Sequence, residues 1–220
     1  MNELVRYFEN NDKNLIVKLS HYFEIYERHF ARFRGSDVHI LEIGVYQGGS
    51  LQMWKEYFGQ DAKIVGVDID PRMKELEESQ VEIRIGDQAD PEFLAKIREE
   101  YPRIDIVIDD GGHTMKQQRA SFENLFHHLS DSGVYLCEDT CTSYWAEYDG
   151  GISGKNTFVD FSRDLIDEVH AFHRRGNNAG FDVSEYTRTI DSINYYDSVI
   201  VFEKASKRPP KMVYTGTPSF

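Results

Sequence analysis

Residues 38–50 read VHILEIGVYQGGS, a short apolar run that passes into a glycine-rich turn. The run predicts a strand that ends near Glu42, and the spacing of Leu51, Trp54 and Tyr57 predicts a helix directly after the turn. Glycines let the backbone approach a ligand closely, and the first turn of a helix offers free N–H groups to an anion. The spacing is not GxGxxG, so the turn does not indicate pyrophosphate recognition. Alone, the turn would equally fit a purely structural connection.

Four more apolar runs follow this first strand along the chain. They are Lys63–Asp68 (KIVGVD), Val81–Ile85, Ile104–Asp109 (IDIVID) and Val134–Cys137 (VYLC). Residues 91–101 and 115–129 have helical periodicity. Repeated strand–helix units predict an α/β fold of the Rossmann-like kind, with a mostly parallel sheet covered by helices.

The end of the chain has a different pattern. Residues 187–195 and 198–203 read as strands, with little more than a turn between them at Tyr196 and Asp197. Parallel strands need a long crossover, so this pair must be antiparallel. A mostly parallel sheet that finishes in an antiparallel hairpin distinguishes the chain from an ordinary dehydrogenase domain.

The N-terminal part, residues 3–33, has apolar residues three and four positions apart and predicts a helix before Gly35. Its apolar positions are Leu15, Leu19, Tyr22, Phe23, Tyr26 and Phe30. We expect one domain over residues 1–220, with an N-terminal helical extension (1–35) and an irregular tail (205–220). Because so many aromatic residues exceed what one edge helix needs, we also expect a homo-oligomer that uses residues 1–33.

Composition narrows the class of partner. The chain has 220 residues, 40% of them apolar, and its formal net charge is −13 from 38 acidic and 25 basic residues. Such a charge opposes generic nucleic-acid binding and suits a neutral or cationic small molecule, or one held through a metal ion. Apolar runs long enough to span a membrane and a signal-peptide pattern are both missing. Cys137 and Cys141 are the two cysteines, so we expect a reducing, cytoplasmic setting.

The second and third strands end in residues suited to a nucleoside. Asp68 ends the second strand, where an acid can accept hydrogen bonds from both ribose hydroxyls. The third strand runs into Gly86, Asp87 and Gln88, where a carboxylate and an amide could meet an adenine edge. Either acid alone could instead cap a helix. Together with the glycine turn, they predict a nucleotide-type pocket.

The motifs IGVYQGGS, GVDID, IDDGGH and EDTCTSYW together resemble a group of class I methyltransferases. This group includes the mycinamicin and related macrolide-sugar O-methyltransferases and the cephalosporin-biosynthesis proteins of the same fold, and the resemblance covers roughly residues 20 to 203. It implies an S-adenosylmethionine (SAM) site and agrees with the antiparallel last strand. By motif position, the residues that it assigns to this site are Glu42, Gly44, Gly48, Asp68, Asp87, Gln88 and Asp109.

Acidic residues follow the fourth and fifth strands directly. The fourth runs into Asp109 and Asp110, and the fifth runs into Glu138 and Asp139. Carboxylates that converge repel one another unless a cation or a proton neutralises them, and oxygen ligands suit Mg²⁺ or Mn²⁺. We predict Asp110, Glu138 and Asp139 as metal ligands, which the resemblance also implies, with Asp109 turned toward SAM. Either cluster alone would also fit helix caps or solvated charges.

His113 lies three residues after Asp110, across two glycines. An alcohol attacks the SAM sulfonium poorly until its proton is removed, and a histidine can accept that proton. We predict His113 as the general base, a role that the resemblance also implies, although a lone loop histidine is often structural.

These features predict a metal-dependent SAM O-methyltransferase that acts on a hydroxyl of a small or glycosylated acceptor, with a sugar favoured. A catechol-like phenol is the alternative acceptor, because vicinal oxygens on either scaffold could chelate the metal. An NAD-linked oxidoreductase is disfavoured by the missing GxGxxG and by the terminal hairpin. A non-catalytic scaffold of the same fold is the third alternative, and the intact acidic motifs count against it.

Overall fold

A computed structural model describes residues 2–152, 155–175 and 182–220. Its strands are β1 (His39–Ile43), β2 (Lys63–Asp68), β3 (Val81–Ile85), β4 (Ile104–Asp109), β5 (Leu129–Cys137), β6 (Ile190–Tyr196) and β7 (Val199–Lys204). They form one sheet in the order β3-β2-β1-β4-β5-β7-β6. Strands β1 to β5 pair in parallel, whereas β7 is antiparallel to β5 and to β6. The predicted fold class is therefore confirmed.

The helices start where the local sequence supplies caps. They are α1 (Glu3–Glu9), α2 (Tyr22–Phe30), α3 (Gly49–Phe58), α4 (Pro91–Glu100), α5 (Met115–Leu125), α6 (Phe158–His170) and α7 (Glu185–Thr189). At α4, the Asp90 side chain accepts from the amide of Glu92, and Pro91 occupies the first turn. Thr114 and Gln117 form a capping box at α5. Within the described ranges, no helix is long and apolar enough to cross a membrane.

Both faces of the sheet are buried. Ile40 of β1 packs into one hydrophobic cluster with Trp54 of α3, whereas its neighbour Leu41 packs into a second cluster with Phe122 of α5. Because strands buried on two faces have apolar residues at successive positions, they appear in the sequence as continuous apolar runs. This explains why the five parallel strands were visible in the sequence.

Two predicted elements differ in kind from the structure, and β5 begins at Leu129, earlier than the predicted Val134. The continuous helix over residues 3–33 is wrong, because residues 10–21 are irregular between α1 and α2. Asparagines compete there for backbone groups: Asn11 donates to the carbonyl of Asn14 and accepts from the amide of Lys13. Near the C-terminus, residues 187–189 belong to α7, because Ser184 starts that helix with a capping box, so β6 begins only at Ile190.

The aromatic residues of the N-terminal part are core residues of their own chain. Tyr22, Phe23, Tyr26 and Phe30 are all buried. Tyr26 lies edge-on to Trp54 at 5.1 Å between ring centroids, and Phe30 lies 5.9 Å from the same ring. These rings therefore cover one face of the sheet, and their number is no longer an argument for subunit contacts. Residues 205–220, the expected tail, have no helix or strand.

We predict that Phe30→Ala costs about 3–5 kcal/mol of unfolding free energy, because it empties a fully buried aromatic position. Leu15→Ala is the matched control, since that side chain is 55% exposed and its loss should change the free energy by less than about 0.5 kcal/mol. Urea unfolding followed by circular dichroism measures both. Equal stability of the two variants would mean that the N-terminal part does not contribute to the core.

Candidate active site

A cavity of about 560 Å³ lies beyond the carboxyl ends of β1 to β4, where open parallel sheets bind ligands. The predicted site residues that line it are Gly44, Asp68, Asp87, Gln88, Asp110, His113 and Asp139. Four others do not line it: Glu42, Gly48, Asp109 and Glu138. The cavity thus joins the expected nucleoside region to the acidic cluster.

Gly44 sits where the turn after β1 meets the turn after β4. Its φ of 94° lies in the left-handed region, and a Cβ on it would come within 2.0 Å of the Asp110 carbonyl oxygen. Any side chain at this position would therefore separate the two turns. Gly48 has a φ of 76° and precedes α3. Both glycines are required by the backbone path around the cavity.

Asp68 organises the same turn from β2. One carboxylate oxygen accepts from the amides of Val45 and Tyr46, at 2.9 and 3.1 Å, and the other accepts from Asp70 at 2.9 Å. Asp87 accepts from the amide of Ala89 and remains at the cavity edge. Asp68 therefore holds the glycine turn in place and also borders the cavity.

Gln88 and Asp109 form a buried brace under the turn after β4. The Gln88 amide nitrogen donates to Asp109 and to Ser121, at 2.9 and 3.0 Å, and its oxygen accepts from Gly112 N at 2.7 Å. Tyr135 donates to the other oxygen of Asp109 at 2.8 Å. Burial raises the pKa of Asp109 to about 7, while the hydrogen bonds from Tyr135 and Gln88 oppose this shift.

Asp109 therefore differs from the expectation that it faces SAM. Adjacent side chains at the end of β4 do point oppositely, as predicted, but it is Asp110 that faces the cavity. Asp109, 1% exposed, points to the face covered by α5. The Gln88 amide, expected at an adenine edge, is already engaged by three protein groups.

Asp110, His113 and Asp139 converge at one end of the cavity, with a ligand atom from each within 4.8 Å of the others. His113 Nε2 lies 3.9 Å from Asp110 Oδ1 and 3.6 Å from Asp139 Oδ2. Two partly exposed carboxylates this close favour a cation between them. Their oxygens are the donors that Mg²⁺ and Mn²⁺ prefer, so the residues present fit a divalent ion.

Two of these residues have left-handed backbone conformations. His113 has a φ of 59° and Asp139 a φ of 51°. The Thr142 hydroxyl lies 2.9 and 2.8 Å from their carbonyl oxygens and joins the two turns. Such conformations cost on the order of 1 kcal/mol each outside glycine and concentrate at functional sites. The turns are therefore held in the conformation that brings the side chains together.

Glu138 lies deeper than its neighbours and is 1% exposed. Its Oε1 accepts from the Tyr26 hydroxyl at 2.6 Å, and its Oε2 accepts from Lys18 Nζ at 2.8 Å. Lys18 also donates to Asp110 Oδ2 at 2.5 Å. Burial and the charge of Asp110 raise the pKa of Glu138 to about 8, and the Lys18 ammonium opposes this shift.

Sequence reasoning missed three residues of this site, and all come from the N-terminal part. They are Lys18, Tyr26 and Tyr22, whose hydroxyl donates to Asp139 Oδ1 at 2.6 Å. Burial alone would lower the pKa of Lys18, but the carboxylates of Asp110 and Glu138 outweigh it and raise that pKa. One signal was present: Lys18 is the single charged residue within LIVKL, residues 15–19.

Glu42 lies beneath the glycine turn and is fully buried. Its Oε2 accepts from the Ser50 hydroxyl at 3.0 Å, while its Oε1 has no hydrogen-bond partner in the part of the chain that the structure describes. Burial raises the pKa of Glu42 to about 7, and the charge of Lys18 opposes this shift. Glu42 therefore lies below the cavity and does not reach its lining.

The sheet order, the glycine turn and the acidic cluster together define a class I methyltransferase fold. Residues 41–140 match the family described as a methyltransferase domain. Together with the relatives and the solved structure below, this match confirms the prediction of a class I SAM-dependent methyltransferase.

The chain is similar to two proteins that are named as O-methyltransferases. The chain is 36% identical to an 8-demethyl-8-alpha-L-rhamnosyl tetracenomycin-C 2'-O-methyltransferase from Streptomyces olivaceus, over 83% of this chain and 50% of that protein. It is 34% identical to the mycinamicin VI 2''-O-methyltransferase from Micromonospora griseorubida, over 81% of this chain and 47% of that protein. The chain thus spans about half the length of these relatives.

A solved structure shows the same arrangement of elements. The MycE methyltransferase from the mycinamycin pathway, in complex with Mg, SAH and mycinamycin VI, superposes with a TM-score of 0.81 at 32% identity. The match covers 93% of this chain and 53% of that one.

We predict that Asp109 makes stability fall as pH rises. Its folded pKa of about 7 lies above the ordinary 3.8, so between these values the native state binds more protons than the unfolded state. The resulting slope is at most about 1.4 kcal/mol per pH unit. Asp109→Asn keeps the shape and removes the titration, so its stability relative to wild type should improve from pH 4 to 8.

Urea unfolding in EDTA at several pH values measures this difference. The buried Glu42 is present in both proteins, so its own titration cancels. Parallel pH profiles for wild type and Asp109→Asn would contradict the prediction.

Proposed function

We propose that the protein is a SAM-dependent O-methyltransferase that requires a divalent metal and acts on a sugar hydroxyl of a glycosylated natural product. The observation that carries the proposal is the convergence of Asp110, His113 and Asp139 at the end of a cavity bordered by Asp68 and Gly44. The relatives named as sugar O-methyltransferases support the choice of acceptor.

The cofactor would lie along the glycine turn. Gly44 gives it a close approach to the backbone, whereas Gly48 shapes the turn before α3 without lining the cavity. Asp68 and Asp87 border the cavity and could accept hydrogen bonds from the hydroxyl and amino groups of the cofactor. Glu42 lies buried beneath the turn, where it accepts from the Ser50 hydroxyl. Gln88 and Asp109 act indirectly, because they brace the turn after β4. When bound, SAM supplies the methyl group.

Asp110, Glu138 and Asp139 would hold Mg²⁺ or Mn²⁺. Asp110 and Asp139 reach the cavity directly, whereas Glu138 would join them from the buried side. When bound, the ion supplies positive charge that lowers the pKa of the acceptor hydroxyl.

His113 would take the proton of the acceptor hydroxyl. Its Nε2 lies 3.9 Å from Asp110 Oδ1 and 3.6 Å from Asp139 Oδ2, beside the carboxylates that would hold the ion. Oxygen donors suit Mg²⁺ better than an imidazole does, which leaves His113 free to act as the base.

The acceptor would lie beside the aromatic loop that follows β5. Trp145 is 45% exposed, its ring lies 5.9 Å from that of Tyr148, and Tyr148 lies 6.4 Å from the His113 ring. Exposed rings next to a reactive group offer the flat apolar surface on which a sugar or a ring can stack.

The experiment that tests the function is transfer of a labelled methyl group from SAM to a panel of glycosylated acceptors and simple catechols. We expect transfer to glycosides, abolished by EDTA and restored by Mg²⁺ or Mn²⁺. Transfer to catechols alone would favour the phenol alternative, and full turnover in EDTA would remove the metal from the mechanism. NAD binding without SAM binding in calorimetry would favour an oxidoreductase.

Two substitutions distinguish metal binding from general-base catalysis. His113→Ala should lower the rate roughly 10²- to 10⁴-fold while metal and SAM still bind. Glu138→Gln keeps the shape but removes a charge, so Mn²⁺ affinity should fall while SAM binding largely persists. The exposed His170→Ala and Glu147→Gln are the matched controls. An undiminished rate in His113→Ala would exclude it as the base.

We also infer a homo-oligomer in a cytoplasmic setting. Support for association comes from the irregular N-terminal segment, where the side chains of Leu15 and Leu19 are 55% and 49% exposed. Both cysteines are free thiols, as a reducing compartment allows. A monodisperse monomer in light scattering at micromolar concentration would contradict the oligomer.

A further inference from the structure

Lys18 is a buried ammonium group that lies between two of the carboxylates assigned to the metal. Its side chain is 3% exposed, and its Nζ lies 2.5 Å from Asp110 Oδ2 and 2.8 Å from Glu138 Oε2. The ring of Tyr26, which donates to the same Glu138, lies 6.0 Å from that Nζ. Burying a lysine ammonium costs free energy unless it is paired, and here the carboxylates of Asp110 and Glu138 supply the pairing.

The backbone just before Lys18 is fixed against α3. The amide of Asn14 donates to Gln52 of α3, and the carbonyls of Asn14 and Leu15 pack so closely on Gly49 that a Cβ there would come within 2.5 Å. Ile16 is buried in the core, whereas Val17 lines the cavity. A segment that packs against the rest of the chain therefore holds Lys18 next to the carboxylates.

The number of charges in the acidic cluster is consistent with one ammonium group and one divalent ion. With all three carboxyl groups ionised, as binding of a cation requires, Asp110, Glu138 and Asp139 carry three negative charges. The ammonium of Lys18 leaves two, which is the charge that one divalent ion cancels. Asp110 keeps its Oδ1 and Asp139 its Oδ2 toward the cavity and His113, away from Lys18.

We propose that Lys18 is a positioning residue of the metal centre: its ammonium holds Asp110 and Glu138 together and supplies part of the positive charge that this cluster needs, so that the centre stays assembled without metal. The inference rests on the proposed function for its metal ligands. It assigns a role in the site to the irregular N-terminal segment.

The test compares Lys18→Met with wild type in EDTA and in excess Mn²⁺. Removing one partner from a buried ion pair leaves uncompensated charge, so the variant should melt about 10 °C lower than wild type in EDTA. Mn²⁺ should restore at least half of this loss and should bind the variant about tenfold more tightly in calorimetry, because its charge is needed more. Lys13→Met, an exposed lysine of the same segment, is the matched control and should behave as wild type.

A second variant separates charge from packing. Adding Glu138→Gln to Lys18→Met removes the surplus negative charge, so the double variant should melt well above Lys18→Met in EDTA. A role of Lys18 in packing alone predicts no such rescue. This comparison also decides the question if Lys18→Met alone fails to fold.

Three results would overturn the proposal: an equal melting temperature of Lys18→Met and wild type in EDTA, no rescue in the double variant, or a wild type that binds Mn²⁺ at least as tightly as Lys18→Met does. Failure of the proposed metal site has a different signature. Wild type itself would then bind no Mn²⁺, whatever the melting temperatures in EDTA.

Discussion

Carboxylates that lie close together in a partly buried site repel one another unless positive charge neutralises them. This requirement accounts for many contacts around the cavity. Parallel strands β4 and β5 end side by side, and each ends in a pair of acids. The backbone thus forces Asp110, Glu138 and Asp139 into one region. Lys18 of the N-terminal segment supplies positive charge to Asp110 and Glu138. Tyr22 and Tyr26 donate to one oxygen each of Asp139 and Glu138.

The need to satisfy the acidic cluster also influences how the N-terminal part packs on the sheet. Tyr26 is at once a core residue against Trp54 and a hydrogen-bond donor to Glu138. Its ring is buried on the sheet face, and its hydroxyl reaches the end of β5. An aromatic residue with a polar tip can serve both purposes where a phenylalanine could serve one. Packing of α2 and assembly of the acidic cluster are therefore coupled.

Beneath the cavity, a second set of polar contacts fixes the turns. Gln88 reaches from the end of β3 to Asp109 and Gly112 at the end of β4, and Thr142 links the carbonyls of His113 and Asp139. These bonds keep two left-handed residues in place at the reactive end of the cavity. Rigid turns of this kind hold a catalytic group in position before any ligand arrives.

The sequence alone determined the parallel strands, the antiparallel hairpin and the acids at strand ends, because burial on two faces and tight turns leave local patterns. It also placed Gly44, Asp68, Asp110, His113 and Asp139 at one edge of the sheet. Only the tertiary structure decided which face each acid takes, so Asp109 and Glu42 proved to be buried below the cavity. It alone revealed Lys18, which lies 92 residues from Asp110 along the chain. Pairing of charges across such a separation follows from packing of the whole chain, and no local pattern records it.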